Sequence, residues 1–327
     1  ARASGATTTA PAATEAGPAV PSSGCGRQAQ SAIADQRVDV AAGGQGRYYL
    51  LTAPSAGASK ALPLVINFHG LLEGAQIHSQ MSAMGPVAQH DGFVVAFPNG
   101  SGNPIHWNVE QNAEGAADIA YVKAMVAQIG ATRCIDTSRT YAMGLSDGSI
   151  FISHLACELP GTFAAYAMVS GLQVEKGCQP PSPQRILAFH GTADPILLFN
   201  GGVGSSLNSM LGGPSTGSTT TTTSPPANLT GPGYPANVAK WAGLDGCDSK
   251  FTDTKVSAHV IHRVYTCPAP AAVEFFIIEG GGHAWPGSKF SAAISKIVGP
   301  TTFEINADAE AWKFFQRFQL TKAAPAS

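Results

Sequence analysis

Ser146 lies in the turn Gly144-Leu145-Ser146-Asp147-Gly148, directly after the strand-like run Arg139-Thr140-Tyr141-Ala142-Met143 and ahead of Ser149 to Cys157, which reads as a helix. A Gly-x-Ser-x-Gly bend between strand and helix leaves the serine hydroxyl exposed, and its glycines let neighbouring backbone come close. A serine hydroxyl is a poor nucleophile at neutral pH. Acyl transfer therefore needs a base to take its proton and a carboxylate to orient that base and stabilise its charged form. Asp194 follows the apolar run Arg185 to His190, in Gly191-Thr192-Ala193-Asp194-Pro195, and His283 follows Val273 to Ile278, in Gly280-Gly281-Gly282-His283. Singly, each has an ordinary reading: glycine and serine make many turns, aspartate before proline is a turn residue, and a histidine among glycines is loop content. Three strand ends carrying Ser, Asp and His in that order point to acyl transfer by a triad.

The tetrahedral intermediate of that chemistry also needs donors aimed at its oxyanion. The amide of Asp147, just after the nucleophile, is one candidate, and the other is the amide of Leu71, in the loop after Leu62-Pro63-Leu64-Val65-Ile66-Asn67-Phe68-His69-Gly70. Both act through backbone, so their side chains are free to do something else. His69 closes a buried strand and is given a supporting place beside the substrate site.

With these strings in hand, the chain resembles a family of secreted α/β-hydrolase esterases. That family includes extracellular polyhydroxybutyrate depolymerases, feruloyl esterases, acetylxylan esterases and a mycobacterial lipoprotein esterase. The matching strings are Asn67-Phe68-His69-Gly70, the Ser146 turn with Leu155-Ala156-Cys157-Glu158, His190-Gly191-Thr192-Ala193-Asp194-Pro195, and Gly280-Gly281-Gly282-His283-Ala284-Trp285-Pro286-Gly287. They cover most of residues 45 to 320. The resemblance implies an α/β-hydrolase fold, a mostly parallel central sheet with helices on both faces, and supports Asp194 and His283 as acid and base. The chain departs from the family at Asp147-Gly148-Ser149, where members often read Asn-Gly-Gly.

Six cysteines, an even count, fit an oxidising compartment. Cys157–Cys178 would join the helix after the nucleophile to the loop before the Asp194 strand, and Cys247–Cys267 would bracket a β-hairpin; both have counterparts in the family resemblance. Cys25 and Cys134 remain as a third pair.

Charged residues make up 12% of the 327, about half the usual ~25%, and the net charge is −2. Without a basic cluster, nucleic acid and anionic membrane surfaces are poor partners. No apolar run reaches the ~20 residues needed to cross a bilayer. The chain begins at Ala1 without Met, which fits a removed secretion signal; a secreted monomer is expected, with tethering through a removed N-terminal part left open.

Residues 1–24 are a flexible Ala/Thr/Pro/Ser-rich leader on composition, residues 25–322 one catalytic domain, and residues 323–327 a tail. Within the domain, Arg47 to Ala53, Leu62 to Phe68 and Phe93 to Phe97 read as strands, His78 to His90 as a helix, and Ala116 to Ile129 and Ala307 to Phe318 as helices lying on the sheet. Apolar strands alternating with helices independently indicate a parallel sheet covered on both faces. Residues 201–235, dense in Gly, Ser, Thr and Pro, form a long insertion after the Asp194 strand, either a rim or lid of the site or a solvated loop.

Neither metal nor organic cofactor is called for, and His259 with His262 reads as hairpin content. Trp107 and Trp285 are candidate substrate-stacking residues, while Trp241 and Trp312 fall in helical contexts and are left out. A polyester of the polyhydroxyalkanoate type is the leading substrate, with feruloyl or acetylxylan esters as the alternative. A non-catalytic cell-surface binding protein on the same fold is the reading from another class, and a peptidase would use the same triad.

Overall fold

The computed structural model describes residues 17–42, 45–110, 112–205, 207 and 226–320. The expected leader's residues 1–16, the middle of the insertion at 208–225 and the tail at 323–327 lie outside the described residues.

Among the described residues the long apolar runs form the middle of one ten-stranded sheet, with more polar strands at its edges. In chain order its strands are β1 (Ile33–Ala42), β2 (Gln45–Ala53), β3 (Leu62–Phe68), β4 (Val94–Pro98), β5 (Ile135–Leu145), β6 (Ala165–Val169), β7 (Arg185–Gly191), β8 (Phe251–Lys255), β9 (Val260–Tyr265) and β10 (Ala272–Ile278). Their order across the sheet is β1-β2-β4-β3-β5-β6-β7-β10-β9-β8. From β4 to β10 every pairing is parallel. The flanking pairings, β1 with β2, β2 with β4, β10 with β9 and β9 with β8, are antiparallel.

Parallel strands are buried on both faces, which is why β6, β7 and β10 are buried at every position. Alternate side chains of β3 enter opposite cores: Leu64, Ile66 and Phe68 face one, Val65 the other. Helices α3 (Ala113–Thr132), α4 (Asp147–Glu158) and α5 (Tyr234–Leu244) cover the first face through residues such as Met125, Phe151 and Trp241. Helices α1 (Gly74–Ser82), α2 (Met84–Asp91) and α8 (Ala307–Phe315) cover the second through Met81, Met84 and Phe315. Two short helices, α6 (Lys289–Ala293) and α7 (Ser295–Val298), follow the last strand.

The helix expected over His78 to His90 is two helices, α1 and α2, separated by Ala83 at φ 54°. Pro86 gives the reason: within one continuous helix its ring would clash with the carbonyl of Ser82 and it has no N–H to donate, so a new helix must start just before it. The terminal helix stops at Phe315, and Phe318 returns onto Phe314 with ring centroids 4.9 Å apart.

Disulfides join Cys25–Cys134, Cys157–Cys178 and Cys247–Cys267. Around the first, residues 17–24 run against the body, with the Ser22 N–H donating to Ile135 O and the Gly24 N–H to Gly130 O, both at 2.8 Å. The last pair brackets the β8–β9 hairpin.

Candidate active site

β5 ends at Leu145 and α4 begins at Asp147, so Ser146 must turn the chain within one residue. It does so at φ 54°, ψ −119°, a conformation that costs a non-glycine residue about 1–3 kcal/mol and persists only where its surroundings enforce it. Those surroundings are tight. A Cβ at Gly148 would run into the carbonyl oxygens of Phe68 and His69, and one at Gly171 into the carbonyl of Ser146. The Ser146 N–H donates to Val169 O at 2.9 Å. Ser149, where the family resemblance has glycine, supports this bend: its buried hydroxyl lies 2.7 Å from Gly144 O and 2.8 Å from Val169 O, sharing its proton between them.

Asp194 follows β7 with its carboxylate fully buried. Oδ1 accepts the N–H groups of Ile196 and Leu197 at 2.8 and 2.9 Å, and Oδ2 accepts Nδ1–H of His283 at 2.8 Å. A second imidazole reaches the same oxygen, His190 Nε2 at 3.2 Å, and also lies 2.8 Å from Leu197 O. Burial alone would raise this carboxyl's pKa, but the charge and hydrogen bonds of His283 and His190 outweigh it and hold Asp194 well below the usual carboxylate range. Because a carboxylate only accepts, Nδ1 of His283 carries the proton and Nε2 is left as an acceptor.

Ser146 and His283 line one cavity of about 320 Å³. Its walls are apolar, built from Ile77 and Met81 of α1, Ile150 of α4, Leu197, Phe290 and Ile294 among others. Leu207 from the start of the insertion lines it as well. Leu72, Ile77 and Ile297 remain 40%, 38% and 48% exposed in this lining.

Both sequence-predicted oxyanion residues line the same cavity. In the loop after β3 the neighbours of Leu71 are occupied: the Gly70 N–H donates to Glu73 Oε2 at 2.8 Å and the Leu72 N–H to Ile105 O at 3.0 Å. Asp147 opens α4, where the first amides have no partner inside the helix. Its side chain accepts the Trp107 N–H at 2.7 Å, and burial pushes its carboxyl up to about 6.

The three expected substrate residues do not line the cavity. Trp107 is 2% exposed; it stacks on Phe151 at 5.0 Å and donates Nε1–H to His69 O at 3.0 Å. Trp285 is buried beside His78 and Asp308. His69 is buried and ties two loops together, with Nδ1 2.7 Å from Gly70 O and Nε2 accepting the Gly100 N–H at 2.8 Å; burial lowers its pKa to about 4, which keeps Nε2 available as that acceptor. Proximity in sequence to the catalytic strings put the two indoles in the wrong layer: both fill the cores beneath the site.

Sequence reading also passed over His190 and Glu73. His190 stands four residues before Asp194, inside a matched string, and that spacing was the available signal. Glu73 had none, because its role depends on the fold of the loop that it closes.

The model of the family described as esterase PHB depolymerase matches residues 47–216, which contain Ser146 and Asp194. The chain belongs to this esterase family. Among relatives, feruloyl esterase B of Piromyces equi is 29% identical over 233 residues, 69% of this chain and 40% of that protein. The bifunctional acetylxylan esterase/xylanase XynS20E of Neocallimastix patriciarum is 30% identical over 156 residues, 48% of this chain and 22% of that protein. The chain thus spans less than half the length of either relative. Among solved structures, acetyl xylan esterase from Aspergillus awamori superposes with a TM-score of 0.53 at 15% identity, covering 86% of this chain and 99% of that one. The α/β-hydrolase fold is therefore shared with it.

Proposed function

We propose that the protein is a secreted serine carboxylic-ester hydrolase whose substrates are aliphatic esters, foremost a polyester of the polyhydroxyalkanoate type. One observation carries the reading: the Ser146 bend and the His283–Asp194 pair meet at a single apolar cavity. His283 Nε2 takes the Ser146 proton as Oγ attacks the ester carbonyl, and the amides of Leu71 and Asp147 receive the oxyanion. His283 then protonates the leaving alcohol. In the second half His283 activates water, which frees the acid from Ser146.

The lining favours the aliphatic substrate. Apart from the His283 imidazole, Phe290 is its one aromatic ring among the described residues, and apolar groups dominate, which suits alkyl chains better than sugars. The exposed Leu72, Ile77 and Ile297 give an apolar polymer surface something to rest on. The names of the relatives favour the second reading, hydrolysis of feruloyl or acetyl esters of polysaccharides. Three disulfides support an oxidising, extracellular setting.

Ser146→Ala should lower p-nitrophenyl butyrate hydrolysis by about 10⁴-fold or more if the triad acts as a unit. Undiminished turnover would move the nucleophile elsewhere, and an inactive parent protein would favour the binding-protein reading. Polyhydroxybutyrate film, methyl ferulate and acetylated xylan, compared side by side, rank the substrates.

A further inference from the structure

Glu73 and Asp147 are acidic residues of the cavity lining near Ser146, one from each of the two segments that flank the oxyanion position. No Lys or Arg lines it among the described residues, and residues 201–235, which include the part outside the description, carry no charged side chain at all. The cavity is thus apolar, anionic and without a fixed cation. We propose that Asp147 and Glu73 make it select neutral ester chains over chains that carry a free carboxylate close to the scissile bond. This rests on the Ser146 hydrolase reading and adds a substrate rule to it.

The two acids differ in what balances their charge. Glu73 Oε2 accepts the Gly70 N–H at 2.8 Å and also lies 3.3 Å from His78 Nδ1, so two partners are turned onto this carboxylate. Asp147 accepts the Trp107 N–H, while the charged groups that face it are His106, Asp118 and Glu73, two of them acids. Asp147 is the larger contributor. A like charge several ångströms away in a partly buried cleft disfavours binding by about tenfold or more. A polyester is then cut within the chain or from its hydroxyl end. The short hydroxy-acid oligomers that it releases need a separate ester hydrolase whose site tolerates or binds a carboxylate.

The probes are 3-(butanoyloxy)butanoate and its N,N-dimethylamide, each with a single ester bond and differing in charge. At pH 8 the amide should exceed the acid in kcat/KM by about tenfold or more. Asp147→Asn, which keeps an acceptor for the Trp107 N–H, should collapse most of that ratio, and Glu73→Gln a smaller part. In the unmodified protein the ratio should also shrink as pH falls through about 6, where Asp147 gains its proton while the probe's own carboxylate, near ~4.3, stays ionised. Losses of rate common to both probes cancel in the ratio, so this series decides the matter even if a variant misfolds. Equal kcat/KM for the two probes, or a ratio unmoved by both pH and Asp147→Asn, would overturn the proposal while p-nitrophenyl butyrate turnover left the hydrolase reading standing. Inactivity on all three esters would overturn both.

Discussion

His190 and His283 converge on one oxygen, Asp194 Oδ2, at 3.2 and 2.8 Å. The other oxygen is filled by the amides of Ile196 and Leu197. Four donors around one buried carboxylate fix its orientation and explain why it is held ionised despite its burial.

That crowding predicts the effect of Asp194→Asn. The amide carbonyl would turn to the Ile196 and Leu197 N–H groups, leaving the NH₂ facing the two imidazoles. His283 would then have to accept at Nδ1 and carry its proton on Nε2, where it cannot take one from Ser146. Turnover of p-nitrophenyl butyrate should fall by about 10⁴-fold with the fold intact by circular dichroism. A loss under tenfold would mean that Asp194 does not orient the base.

His190→Leu should act more weakly and on a different observable. It removes one donor from Asp194 and leaves Leu197 O without its partner, so the expected cost is about 1–3 kcal/mol in urea unfolding. His190 also stacks on Tyr234 at 3.5 Å, and the leucine keeps part of that contact. Unchanged unfolding would show that neither hydrogen bond contributes.

Ser146, Asp194 and His283 could be singled out as candidates because each follows an apolar strand, where side-chain type and order are local properties of the sequence. The doubly covered sheet was legible for the same reason. The cavity wall was not: Ile77, Ile150, Leu197 and Ile294 come from separate elements, and nothing local tells an apolar residue that lines a cleft from one that fills a core. Trp107 failed in the opposite direction. Its loop position suggested a stacking platform, yet Phe68, Phe151 and Tyr121 surround it with rings.

Trp107→Ala should accordingly show up as lost stability, about 3–5 kcal/mol for a large buried ring. Phe290→Ala, on the cavity wall, should instead raise KM for p-nitrophenyl butyrate, by up to ~10²-fold if the acyl chain packs on that ring. Chemical unfolding and steady-state kinetics on both variants separate the two outcomes. A raised KM with unchanged stability for Trp107→Ala would restore it to the substrate site.

Asp308 gives the molecule a stability that depends on pH. It lies in the first turn of α8, is buried, and has Trp285 Nε1 at 3.4 Å from Oδ2; burial pushes its carboxyl up to about 8. The folded chain keeps this proton from the unfolded value near ~3.9 up to about 8, whereas the unfolded chain releases it above ~3.9. Across that window the native state binds more protons, so stability falls as pH rises and levels off once the folded group also ionises. Asp308→Asn removes the linkage and keeps an acceptor for the indole. Urea unfolding should find the variant more stable than the parent by on the order of 1–3 kcal/mol at pH 8, with the difference fading toward pH 4. A variant no more stable at pH 8 would place the ionised form of Asp308 comfortably in the fold and remove burial as the controlling effect.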